Sequence, residues 1–84
     1  MKKPEIENSI EIFERLKINI AVLRKAILEE ATDPKPKSQR TYKFLAEAFK
    51  FNEKILGLID AEIEILELDK AFYEMKIRIN PSRV

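Results

Sequence analysis

The sequence predicts an all-α protein. The expected form is a two-helix antiparallel hairpin with a long second helix, oligomerising into a helical bundle, most simply a four-helix dimer. Three observations lead there. Apolar side chains recur every seven residues along two long stretches. Two of the four prolines fall in one short segment between them, "ATDPKPKSQRTY", Ala31 to Tyr42. Only one Gly and 37% charged residues in 84 make the composition helix-rich.

Helix 1 is expected over about residues 4–31. Pro4 suits a first turn, and Glu5 and Glu7 complement the positive end of the helix dipole. Ile6, Phe13, Ile20 and Ile27 recur every seven, and Leu16 and Leu23 fill the intervening positions. Ser9 and Glu30 are the weak places in that seam.

A turn is expected over 32–37. Thr32-Asp33-Pro34 ends helix 1, because the residue before a proline is pushed out of helical geometry. Pro36 extends the break, and Ser38 is the expected N-cap of the next helix.

Helix 2 is expected over about 39–79, ended by Asn80-Pro81, with a short C-terminal tail over 80–84. It carries two seams. The first is Tyr42, Leu45, Phe49, Asn52, Leu56, Ile59, Ile63, Leu66, Lys70, Tyr73 and Ile77. The second is Phe44, Phe51, Leu58, Ile65, Phe72 and Ile79, helped by Ala48 and Ile55. They lie roughly 110° apart on a helical wheel. Two stripes need at least two partners. Gly57 is the one place where helix 2 could turn back, and a break there would give a three-helix bundle instead.

Lengths carry the same message. At 1.5 Å per residue helix 1 spans roughly 42 Å and helix 2 roughly 60 Å. Helix 1 is therefore expected to cover helix 2 only to about residue 66. The overhang would carry Leu68, Phe72, Tyr73, Met75, Ile77 and Ile79, and would need a second protomer. The oligomer interface is accordingly expected at Phe51, Leu58, Ile59, Ile65, Leu66, Phe72, Tyr73 and Ile79.

Charge order along helix 2 runs plus, minus, plus. Two copies meeting antiparallel about Ile59 would set Lys54 opposite Glu64, Lys50 near Glu67 and Lys43 near Glu74. Asn52 and Lys70 would then set register at some cost in stability.

Composition also excludes functions. No Cys and no His removes disulfides, a structural zinc site and the commonest general base. A single Gly cannot build a phosphate loop. No apolar run approaches the about 20 residues that a spanning helix needs, and Glu5, Glu7 and Glu11 rule out a signal peptide. The expectation is a non-enzymatic cytoplasmic protein without metal or cofactor and not tied to a membrane. Heavy Ile, Lys and Glu usage suits a thermophile, and suits an AT-rich genome equally.

Two charged clusters are candidate sites. Lys35, Lys37, Arg40 and Lys43 gather at the hairpin tip with Tyr42 and Phe44 interleaved. Such a cluster can contact phosphates while Tyr42 stacks on a base. Asp60, Glu64, Glu67 and Glu74 share one helix face and could hold a hard cation or a basic partner. Solvated charges on a loop and on a helix are the simpler explanation of both clusters.

In layout the chain resembles the Rop type of helical-hairpin dimer, two helices joined by a tight turn and doubled into four. No stretch matches that family residue by residue, so its RNA binding is not implied here. The "DPKP" turn is also similar to that of helical-hairpin needle subunits of secretion systems, although this chain carries far more charge.

The functional expectation is a small protein–protein interaction module: an adaptor, an assembly factor or a subunit of a larger complex. Its partners would be its own copy and another protein. The second expectation is a nucleic-acid-binding regulator that uses the basic tip.

Overall fold

Two helices make up the fold, α1 over Lys3–Thr32 and α2 over Gln39–Ile79. The computed structural model describes residues 2–79, with side chains through Lys76. The tail expected over 80–84 lies outside the described residues. Among them there is no strand.

Local chemistry sets the helix ends. At the start of α1 the Glu5 carboxylate accepts from the Lys2 N–H at 3.4 Å, and Pro4 sits in the first turn, where its missing N–H costs nothing. At its end Asp33 leaves helical geometry, with ψ 129°, as a residue before proline must. The Asp33 N–H still donates to Glu29 O at 3.0 Å. The Asp33 carboxylate accepts from the Lys35 N–H at 2.8 Å, an Asx turn. Ser38 Oγ accepts from the Thr41 N–H at 3.1 Å and so caps α2.

α2 runs unbroken through Gly57, so the three-helix alternative is not adopted. Gly in a helix interior costs only about 1 kcal/mol relative to Ala. The first apolar seam passes through that position in phase, and its burial against α1, with Ile59 and Leu66 at its centre, outweighs so small a penalty.

Four ion pairs fix the register of the hairpin: Lys3–Glu74, Glu7–Lys70, Lys17–Asp60 and Arg24–Glu53. In every pair the two residue numbers add to 77. Thr32 therefore lies level with Leu45, and Lys3 reaches Glu74. This corrects the expectation that α1 covers α2 only to residue 66. The connection between the helices, residues 33–38, is neither helix nor strand: Asp33 is extended and the chain bends at Lys35. It carries the chain past the end of α1, and α2 begins roughly a turn and a half beyond it.

The first seam of α2 faces α1. Ile59 and Leu66 are buried in it, and so is the polar side chain of Asn52. From α1 the contact stripe is Ile6, Ile10, Phe13, Ile20 and Ile27, with the stems of Lys17 and Arg24 between them. Leu16 and Leu23, expected in that seam, stand 43% and 51% exposed. Lys17 and Arg24 lie four residues beyond Phe13 and Ile20, on the other side of the heptad. Turning them toward Asp60 and Glu53 turns the two leucines away. The result is a rod of 69 × 15 × 14 Å with a radius of gyration of 19.5 Å. A compact chain of this length would have about 12 Å.

Candidate interaction surface

The two long edges of the hairpin differ in chemistry. One edge is zipped by ion pairs. Lys17 Nζ meets Asp60 Oδ1 at 2.7 Å, Arg24 Nη2 meets Glu53 Oε1 at 2.9 Å and Lys3 Nζ meets Glu74 Oε1 at 3.1 Å, while Lys70 and Glu7 stand at 3.8 Å. All are partly exposed, so each contributes about 0–1 kcal/mol. They select the register more than they hold the fold. The Asp60 carboxylate, by hydrogen bond and by opposite charge, raises the Lys17 ammonium above its ordinary value of 10.5. The Arg24 guanidinium also lies over the Phe49 ring, 4.9 Å from its centre.

The opposite edge is apolar. On a wheel at 100° per residue, Ile12, Leu16 and Leu23 lie roughly 60–110° to one side of the α1 contact stripe. The second seam of α2 is rotated from its own contact stripe in the same sense. In antiparallel helices equal sense means the same side of the hairpin. Phe51, Leu58, Ile65 and Phe72, at 64%, 59%, 52% and 66% exposed, therefore share an edge with Ile12, Leu16 and Leu23. Phe44, 69% exposed, continues this edge toward the tip.

The eight residues expected at the oligomer interface are divided by this arrangement. Phe51, Leu58, Ile65 and Phe72 lie open on the apolar edge. Ile59 and Leu66 are spent inside the hairpin, 6% and 7% exposed. Tyr73 is half-buried and lines a groove with Ile6 and Phe72. The side chain of Ile79 lies outside the described residues. The expected α2 self-pairing about Ile59 also loses a member, because Glu74 is engaged by Lys3.

At the tip the basic residues do not form one patch. Lys37 folds inward: its ammonium donates to Asp33 O at 2.7 Å and to Lys35 O at 3.2 Å, and lies 5.5 Å from the centre of the Tyr42 ring. Its charge is spent on closing the connection, and it covers one face of the aromatic ring expected to stack on a base. Lys35, Arg40 and Lys43 are exposed. The acidic ridge is likewise partly engaged, Asp60 by Lys17 and Glu74 by Lys3. Among the described residues no group of three carboxylates is placed to hold a metal ion, and no helix is long and apolar enough to cross a membrane.

Sequence reasoning missed two features. One is the shared apolar edge. The heptad in helix 1 has two possible sides, and only the acidic partners on α2 decide between them. The other is a buried polar knot. Asn52 Nδ2 donates to Ile20 O at 2.9 Å, while Asn52 Oδ1 and Arg24 Nε are buried without a partner. No family model matches this chain, and neither a curated protein nor a solved structure does.

Proposed function

We propose that this chain is a small, non-enzymatic protein–protein interaction module that acts as a helical-hairpin homo-oligomer, at its simplest a homodimer, with coiled-coil packing between copies. One observation carries the reading. Among the described residues three apolar side chains are buried, Ile6, Ile59 and Leu66, while fourteen large ones are exposed. A fold of this size needs more apolar burial to hold a net stability of a few kcal/mol. With no Cys or His in the sequence, neither a disulfide nor a zinc site can stand in for it.

Surface left over from self-association is the docking face for a different protein. Ile18 and Val22, one turn apart on the outer side of α1, are 64% and 63% exposed. They suit an adaptor, an assembly factor or a subunit of a larger complex.

The test is thermal unfolding against protein concentration. For a dimer that unfolds to two free chains, the midpoint should rise by about 4 °C per tenfold concentration. A midpoint independent of concentration would refute the reading. Binding to nucleic acid that weakens steeply between low and moderate salt would replace it with a role for the basic tip.

A further inference from the structure

We infer that the partner seated on the apolar edge is a second copy of this chain, antiparallel, with the twofold axis passing between Leu58 and Ile65. The inference rests on the homo-oligomer reading above and adds to it which face is used, in which direction and in which register.

The repeat identifies the kind of partner. Phe44, Phe51, Leu58, Ile65 and Phe72 recur every seven residues and all are more than half exposed. A strict seven-residue repeat is the mark of a helix packing along a helix. The α1 leucines stand beside this seam, so the partner must offer a layer two helices wide. A second hairpin does so and completes a four-helix bundle. The ion-paired edge is already closed within the chain and offers no comparable apolar strip.

Area is sufficient for such a contact. A compact monomer of this mass would expose about 5,200 Å², while the hairpin exposes 7041 Å². The excess is roughly 1,800 Å², more than twice the roughly 800 Å² that a standard dimer contact removes from each partner.

Charge identifies the partner as the chain itself. Glu47 and Lys54 flank the seam on one side and Asp69 and Lys76 on the other, each within roughly 60° of it. Antiparallel registers that keep the repeat in phase differ by one heptad. With the axis between Leu58 and Ile65, Glu47 lies level with Lys76 and Lys54 with Asp69. Phe51 then meets Phe72. One step toward the N-terminus, with the axis at Leu58, sets Glu47 against Asp69. One step the other way, with the axis at Ile65, sets Lys54 against Lys76. Like charges stand level across the seam in both neighbours, and only the chosen register sets opposite charges level at all four.

Spin labels read this arrangement directly, because the chain has no Cys of its own. Ala46, Ala61 and Ala71 are exposed on α2; Ala46 and Ala71 lie away from the proposed contact, and Ala61 lies at its margin beside the axis. Labels on Ala46→Cys, Ala61→Cys and Ala71→Cys, one at a time, give the distance between equivalent residues of two copies. An antiparallel pair separates them along the rod by about 3 Å for each residue from the axis, twice the helical rise. The expected axial offsets are near zero at 61, about 30 Å at 71 and about 45 Å at 46.

Offsets that stay near zero at all three would mean a parallel pair. A minimum at 46 or 71 would mean another register. Either overturns this inference and leaves the homo-oligomer reading standing. Absence of any dipolar coupling, with a monomer mass, would remove both. The choice of face has its own control: Leu58→Asp should lose the assembled species at low micromolar concentration, leaving single chains whether helical or unfolded, and Ile18→Asp should leave the assembly intact. The reverse pattern would overturn the assignment of the face.

Discussion

The side-chain amide of Asn52 donates to the main-chain carbonyl of Ile20 across the helix interface, at 2.9 Å. Helical carbonyls point toward the C-terminus, so this oxygen lies near the level of Arg24. Arg24 faces Glu53, the neighbour of Asn52. One hydrogen bond and one ion pair therefore hold the same rung of the hairpin. Asn52 is 3% exposed, yet its Oδ1 has no partner. The residue specifies alignment at a cost in stability, as a polar side chain in a helical seam does.

Asn52→Leu should stabilise the fold. Removing a buried unpaired acceptor relieves about 1–3 kcal/mol, and Ile20 O keeps its own helical donor. Urea unfolding should show a higher midpoint, and native mass spectrometry a broader mixture of assemblies. A lower midpoint would mean that Asn52 is a net stabiliser.

Gly57→Ala should stabilise by about 0.5–1 kcal/mol. A Cβ at Gly57 would meet nothing within 4 Å, and no residue there or elsewhere among those described has a positive φ. Chemical denaturation measures the change. Destabilisation of similar size would point to a break in α2 at that position.

The Lys17–Asp60 pair gives a pH dependence. The folded-state value of Lys17 is raised above 10.5. Its contribution is fully present below that pH and is lost as pH rises through the folded value. Stability of the unmodified chain should therefore fall more steeply above pH 10.5 than that of Lys17→Met. Unfolding midpoints from neutral to strongly alkaline pH check the slope, and parallel curves would contradict it.

Lys37→Met should loosen the connection by about 0.5–1 kcal/mol, because two carbonyls lose their donor and turn to water. Amide exchange at residues 33–38 should quicken while the middle of each helix is unchanged. Lys35→Met, whose main-chain N–H makes the Asx turn without help from its side chain, should leave exchange unaltered.

Much of this fold could be read in the sequence for local reasons. Pro4, Asp33-Pro34 and Ser38 act on their own neighbours, so the helix ends fall within a residue or so of expectation. The first seam of α2 is marked by apolar residues at helical spacing, interrupted only at Asn52 and Lys70. What stayed hidden depends on the meeting of two elements. The roll of α1 is decided by Asp60 and Glu53, which lie on the other helix. The overlap of the helices depends on how far residues 33–38 carry the chain past the end of α1, and a run of prolines and lysines does not reveal how much axial length it takes up. Likewise Lys37 looks like a free cation in the sequence and becomes a hydrogen-bond donor to its own loop only once the chain turns.

The absolute mass of the unmodified chain, by light scattering after size exclusion from low micromolar concentration upward, tests the central claim most directly. A single species at twice the 9.9 kDa chain mass is the predicted result. A mass equal to one chain at every concentration would contradict it, because the edge formed by Leu16, Leu23, Phe51, Leu58, Ile65 and Phe72 would then stand in water with no copy to cover it.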